Sequence, residues 1–306
     1  MPKVLIATVK PFAKAAVEQI KAVLDGAGYE YTFLEKYDGE ETLIDAVKGV
    51  DAMIIRSDKI TPAVIEAADN LKIVVRAGAG YDNVNLEAAT AKGVTVMNTP
   101  GQNSNAVAEL VLGMMVFQAR NHFNGTSGSE LKGKKIGIHA YGNVGKNVSR
   151  IAKGFGMDVA AFDPFVPKEA IEADGVQVYD KIEDMYAECD YVSLHIPANK
   201  HTIKSINYDL LSKMKDGAVL INTARKEVIH EDDLIRIFED KANFKYVSDI
   251  APDNKEAIAE KFEGRFFFTP KKMGAQTAEA NINAGIAAAN QIIGFIDNGD
   301  ATFKVN

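Results

Sequence analysis

The sequence predicts two doubly wound α/β domains, each a parallel sheet with helices on both faces. Three observations carry that prediction. The chain has 306 residues, a length suited to about two domains. Short continuous apolar runs recur along it with amphipathic segments between them, as expected of strands buried on both faces. A glycine-rich turn joins one of these runs to a helix near the middle of the chain.

The runs, in order, are "VLIATV" (4–9), "AMIIR" (52–56), "KIVVRAG" (72–78), "VTVMN" (94–98), "KIGIHAYG" (135–142), "DVAAFD" (158–163), "YVSLHIP" (191–197), "AVLINTAR" (218–225), "YVSDI" (246–250) and "RFFFTP" (265–270). Four precede residue 99 and six follow it, which suits two units. The stretch 98–123 opens with Pro and Gly, carries Asn/Ser capping residues and continues as a long helix. Its apolar content exceeds one face, so it is expected to be buried between domains or subunits. Residues 124–135 read as a polar loop. The last helix, about 277–298, is alanine-rich and is expected to return the chain to the first unit. The expected domains are 1–98 plus 286–306, and 99–285.

Hydrophobic residues make up 47% of the chain and charged residues 25%, enough apolar material for two cores. The net charge of −7 argues against nucleic-acid or anionic-membrane partners, so any anion site must be a local basic cluster. The single cysteine, Cys189, excludes an internal disulfide and a cysteine-rich metal site, and its place before an apolar run reads as a buried thiol. No metal is called for. No apolar stretch is long enough to span a bilayer and "MPKVLIATVK" is too short for a signal peptide, so the expected location is the cytoplasm.

The segment 134–165 is the most informative. Its strand ends in Ala140-x-Gly142-x-x-Gly145, where the dinucleotide fingerprint asks for three glycines between strand and helix. Gly142 lets the backbone approach a pyrophosphate and Gly145 lets the helix pack on the strand. The N–H groups of Asn143 and Val144 open the helix, whose positive end faces the phosphates. Alanine at 140 implies a slightly different first turn. Asp163 ends the next strand, 18 residues after the last glycine, where an acidic side chain takes both ribose hydroxyls. A bare strand–helix turn would explain the glycines but not Asp163. A carboxylate there repels a 2′-phosphate, so the expected cofactor is NAD and not NADP.

These residues resemble the D-isomer-specific 2-hydroxyacid dehydrogenases. The resemblance covers nearly the whole chain: "VVRAGAGYDNVNLEAATAKGVTVMNTPGQNSNAVAEL" (74–110) looks like the family's first-domain signature, and "SLHIP", "LINTAR" and "SDI…TPKKMGAQT" look like those of its second. It implies a Rossmann NAD-binding domain inserted in a flavodoxin-like substrate domain, with a cleft between them and two copies paired through the NAD-binding domains. The chain ends soon after the return helix, so it looks like a short form without a C-terminal regulatory domain.

The resemblance also implies roles. Arg225 matches the catalytic arginine, whose planar fork suits a 2-hydroxy or 2-keto carboxylate. Asp249 matches an aspartate near the nicotinamide carboxamide, and Thr223 and Ala224 lie on the cofactor side with it. The backbone N–H groups of Ala79 and Gly80 would hold the substrate carboxylate, and Asn103 would reach the substrate. Arg56 and Ser57 stand where the phosphoglycerate-oxidising branch holds the far phosphate, although a solvated arginine would read the same way. His195 reads as cofactor-side structure rather than as the acid.

One departure is chemical. The family handles the substrate proton with a histidine in a "TPHIGAST"-like loop, oriented by a glutamate five residues after the aspartate. Here the loop is "TPKKMGAQT", one residue longer, and the glutamate's position holds Asn254. None of His122, His139, His195, His201 and His230 falls in either loop. Counting back from Gly274 puts Lys272 in the histidine's place, and counting forward from Pro270 puts Lys271 there. The preferred register is Lys272. A lysine base must lose its proton, and an uncharged Asn254 would not hold that proton as a glutamate would.

The implied activity is NAD-dependent oxidation of a phosphorylated 2-hydroxy acid, D-3-phosphoglycerate to 3-phosphohydroxypyruvate, the first step toward serine. Reduction of glyoxylate or hydroxypyruvate is the alternative within the family. An NAD-sensing binding protein like the family's corepressors is the alternative of another class.

Overall fold

Twelve strands, all in parallel pairs, make two sheets in the computed structural model, which describes all 306 residues. The first sheet holds β1 (Lys3–Thr8), β2 (Glu30–Glu35), β3 (Ala52–Ile55), β4 (Ile73–Arg76) and β5 (Thr95–Asn98), in the order β2-β1-β3-β4-β5. That is the flavodoxin-like doubly wound order. Alternation along the strands divides its core. Val4, Ile6, Ile54 and Val75 face the helices Lys14–Gly26 and Ala278–Asn298. Leu5, Ala7, Met53, Ile55 and Val74 face the opposite way, into a second apolar layer.

The second sheet holds β6 (Lys135–His139), β7 (Asp158–Phe162), β8 (Gln177–Val178), β9 (Tyr191–Leu194), β10 (Val219–Asn222), β11 (Lys245–Ser248) and β12 (Phe266–Phe268). Its order, β12-β11-β10-β9-β6-β7-β8, is the Rossmann order with one added edge strand. Both sheets reverse their winding beside their first strand, between β1 and β3 and between β6 and β9. Ligands of such folds bind outside the carboxyl ends of the strands at these reversals.

The sequence pattern predicts ten strands; the structure adds β2 and β8, both at sheet edges. Edge position is the reason they lack an apolar run. β2 (EYTFLE) has no fully buried residue, and β8 is two residues long. "FFF" is likewise an edge strand and only half-buried, not the buried strand that its composition suggests. Phe267 packs toward the helix Ser104–Ala119, while Phe266 and Phe268 face the other core layer.

The chain divides into Met1–Asn103 with Ala275–Asn306, and Ser104–Gly274. The boundaries expected from sequence, 98/99 and 285/286, thus shift to 103/104 and 274/275. The second shift has a packing cause. The helix Ala278–Asn298 belongs to the first unit from its start, with Ala284 and Ala288 buried and Gly285 close against Ile20 and Phe12. The helix Ser104–Ala119 buries Ala108, Val111, Leu112 and Met115 inside the second unit, on the helix Asn143–Gly154. No helix is long and apolar enough to cross a membrane.

Candidate active site

In the second unit the glycine turn follows β6 at the winding reversal. Ala140 has φ +81°, in the region that favours glycine. Ala140 thus takes, despite its side chain, a backbone conformation that glycine adopts more easily. Gly142 caps the helix Asn143–Gly154, and a Cβ there would meet open space. At Gly145 a Cβ would lie 2.4 Å from the Ala140 carbonyl oxygen, so only glycine lets the helix sit this close. Val144 packs into the core and Asn143 is exposed. Ala140→Gly is expected to raise stability by about 0.5–1 kcal/mol by relieving the positive φ. An unchanged urea midpoint would show that Ala140 carries no strain.

Asp163 lies just past β7 and ties two loops together. Its Oδ2 accepts from the Tyr141 N–H (2.7 Å), and its Oδ1 from those of Phe165 (2.8 Å) and Val166 (3.2 Å). A carboxylate offers about four acceptor positions, so a second ribose hydroxyl would displace the longest of these bonds. The buried Thr223 Oγ1 has no protein partner. The open face of Gly142, the free N–H groups of a helix start, the held carboxylate and this orphan hydroxyl together fit a dinucleotide. Asp163→Asn keeps the shape and removes the charge. It is expected to narrow the preference for NAD over NADP by about 1.5–3 kcal/mol, the worth of a charged hydrogen bond. Equal use of both cofactors by the native chain would overturn the assignment.

Three charged side chains meet beyond β10, β11 and β12. Lys272 Nζ donates to the Ala224 carbonyl (2.6 Å) and stands 3.5 Å from Asp249 Oδ1. Arg225 Nη1 also donates to the Ala224 carbonyl (3.3 Å). The Asp249 side chain is 0% exposed, and its Oδ2 accepts from the Gly274 N–H at 2.9 Å. That last bond pins the loop by its glycine. Lys272 consequently points its ammonium at Asp249 although its side chain is 40% exposed, while Lys271, also exposed, uses its carbonyl to accept from Thr269 Oγ1. Burial of the ammonium lowers the Lys272 pKa from the usual lysine value; Asp249 opposes this and Arg225 adds to it.

Asn254 does not join this group. Its side-chain N–H donates to the Glu231 carbonyl (3.0 Å), and its backbone N–H to Glu231 Oε2 (3.1 Å). Asn254, expected at the site as the uncharged stand-in for the family's glutamate, thus lies apart from the loop lysine: the group that meets Lys272 is the carboxylate of Asp249, which sequence reasoning placed at the cofactor alone. Position at neighbouring strand ends was the signal available for that contact. His195 Nε2 bonds Ser193 Oγ (2.9 Å), and burial drives its pKa to about 3, so it stays neutral. Cys189 is fully buried, with its thiol pushed up to about 12.

In the first unit, Arg56 follows β3 at the winding reversal. Its Nη1 donates to the carbonyls of Lys10 (2.9 Å) and Pro11 (3.0 Å), and its Nη2 donates to Asn281 Oδ1. Three of five guanidinium N–H groups are thus engaged. Ser57 beside it is exposed, and Asn103 is half-buried at the unit's end. Gly78, at φ +149°, lies under Arg76: a Cβ there would fall 1.4 Å from Arg76 Nη1. Sequence reasoning missed Arg76, which also donates from Nε to the Arg56 carbonyl (3.0 Å). Ala79 is exposed, with its carbonyl accepting from Asn98 Nδ2 (2.6 Å), and Gly80 is half-buried. Neither of their N–H groups donates within the backbone network.

A parallel dinucleotide-type fold with a glycine turn at its winding reversal, and an arginine, a lysine and a buried aspartate beyond its strand ends, is the frame of an NAD-dependent oxidoreductase. Residues 108–265 match the family described as D-isomer specific 2-hydroxyacid dehydrogenase, NAD binding domain, and the chain belongs to that family. It is 46% identical to the NAD+-bound 3-phosphoglycerate dehydrogenase of Entamoeba histolytica, with a TM-score of 0.89 over 100% of this chain and 98% of that one. It is 36% identical to the D-3-phosphoglycerate dehydrogenase of Methanocaldococcus jannaschii over 83% of its own length, and spans about half (51%) of that relative. The hydroxypyruvate reductase of Thermotoga maritima is 33% identical over 83% of this chain and 87% of that protein.

Proposed function

We propose that the chain oxidises D-3-phosphoglycerate to 3-phosphohydroxypyruvate with NAD, and catalyses the reverse reduction, with Lys272 handling the substrate proton. The observation that carries this reading is the Lys272 ammonium held at Ala224 and Asp249 beside Arg225. Arg225 grips the substrate carboxylate and polarises the oxygen on C2. Neutral Lys272 takes the hydroxyl proton in oxidation; protonated Lys272 returns it in reduction. NAD, when bound, supplies the acceptor for the hydrogen on C2. Asp249 holds Lys272 in place and stabilises its ammonium, which favours proton donation in the reduction direction. The backbone N–H groups of Ala79 and Gly80 complete the carboxylate grip, and Asn103 orients the substrate.

The two N–H groups that Arg56 retains, with Ser57, serve the far phosphate. The reading also includes pairing of two copies through the NAD-binding domains. Phe123, 65% exposed, gives that domain an apolar surface.

Reduction of hydroxypyruvate is the second reading. It is favoured by the engagement of Arg56 with Lys10, Pro11 and Asn281, and by the Thermotoga relative's name. NADH consumption with phosphohydroxypyruvate, hydroxypyruvate and glyoxylate separates the two. Arg56→Ala is expected to raise KM for the phosphorylated substrate by the equivalent of about 1.5–3 kcal/mol and to leave hydroxypyruvate nearly unchanged. An equal loss for both would place Arg56 outside phosphate recognition.

A further inference from the structure

The second sheet has a second concave feature, on the edge opposite its carboxyl ends. A cavity of about 280 Å³ opens at the amino ends of the strands. Lys134 and Asp190 stand just before β6 and β9, and Lys245 is the first residue of β11. With Lys215 they put three ammonium groups and one carboxylate around the cavity. Lys215 is paired with Asp190 at 2.8 Å. Lys245 has no counter-ion: it is half-buried, and burial is the one influence on its pKa, which it lowers. Its charge reaches His122, whose pKa is lowered by burial and by Lys245. That histidine is held by Gln118, another lining residue, at 2.8 Å.

A half-buried cation without a counter-ion is costly, and an incoming anion recovers that cost. The cavity carries two uncompensated positive charges on a chain whose net charge is −7. Exposed lysines on an open surface would be solvated and weak. Here the ammonium is partly withdrawn from water, and the hydroxyl-bearing residues Ser129 and Tyr191 line the same space. We infer that this cavity is a binding site for a small dianion, inorganic phosphate or the phosphate of a small ester, separate from the strand ends that carry Lys272. β11 runs from Lys245 to Ser248, next to Asp249, so one strand joins the cavity to the partner of Lys272.

Calorimetric titration at constant ionic strength tests the site, with inorganic phosphate, glycerol 2-phosphate and chloride as separate arms. The expected result is saturable binding of a phosphate that persists in Arg56→Ala, where the proposed substrate-phosphate site is removed, and is at least tenfold weaker when Lys245→Met is added to that variant. Tighter binding of the free ion than of the ester assigns the site to inorganic phosphate, and the opposite order to an ester. The His122 ring resonance gives an independent reading. Phosphate should move its titration upward, because the anion cancels the Lys245 charge, and Lys245→Met should start higher and no longer respond. No saturable binding in Arg56→Ala, or equal affinity once Lys245→Met is added to it, would overturn the inference.

Discussion

Lys272→Ala is expected to lower kcat by about 10²–10⁴-fold, the usual worth of a positioned acid or base. NAD affinity should change little, because the groups that fit the dinucleotide lie on the glycine turn and at Asp163. Lys271→Ala should cost much less, since its carbonyl and not its ammonium is engaged, whereas the Lys272 ammonium meets Ala224 and Asp249. The pH profile tests the same assignment. Oxidation needs neutral Lys272, so its rate should climb with pH through the lysine pKa. Burial and Arg225 place that limb below the ordinary lysine value of about 10.4. Reduction needs the ammonium and should fall over the same range. A histidine base would instead show its limb near neutral pH, and Lys272→His should move the limb there. Near-native kcat in Lys272→Ala would end the mechanism; abolition by Lys271→Ala alone would shift the register by one.

The second large effect is on acid stability. His139 and His195 close β6 and follow β9, beneath the glycine turn. His139 is 8% exposed, with Nδ1 3.1 Å from the Tyr186 hydroxyl. Burial drives the His139 pKa to about 4 and that of His195 to about 3; Asp163 pulls His139 slightly back, and His139 pushes His195 further down. The unfolded chain protonates both near pH 6.5. The folded form must stay neutral, so this stability is complete above about pH 6.5 and is lost as the pH falls toward the folded values. Each histidine should remove about 1.4 kcal/mol per pH unit within that window.

Urea unfolding at pH 8, 6.5, 5.5 and 5 measures the slope before most carboxylates titrate. The double variant His139→Gln, His195→Gln should give a flatter curve. Proton NMR titration of the wild-type rings checks the same point without a variant. A His139 or His195 ring resonance titrating near pH 6.5 in the folded protein would refute it. The neutral pair also suits its place, since a charge that switched near neutral pH would perturb a site built for an anionic cofactor.

Residue order was enough for much of this molecule. Continuous apolar runs announced parallel strands, because a strand covered on both faces has no polar side to show. Gly142 and Gly145 announced the tight turn between β6 and the helix Asn143–Gly154, since a side chain at Gly145 would meet the Ala140 carbonyl. Arg225 and the paired lysines stood out because they follow apolar runs directly.

What residue order could not supply was decided by packing. β2 and β8 were hidden because edge strands need no apolar run. The boundary at 274/275 follows from an alanine face that docks on Phe12 and Ile20 across the length of the chain. Ala140 takes a positive φ despite its side chain, next to a Tyr141 N–H that donates to Asp163 across the sheet end. The choice between Lys271 and Lys272 could not be counted from either end of a loop with one extra residue. In the fold the Gly274 N–H donates to buried Asp249, and the ammonium that stands beside that carboxylate is that of Lys272. Such a bond joins positions 25 residues apart and exists only once the strands have brought their ends together.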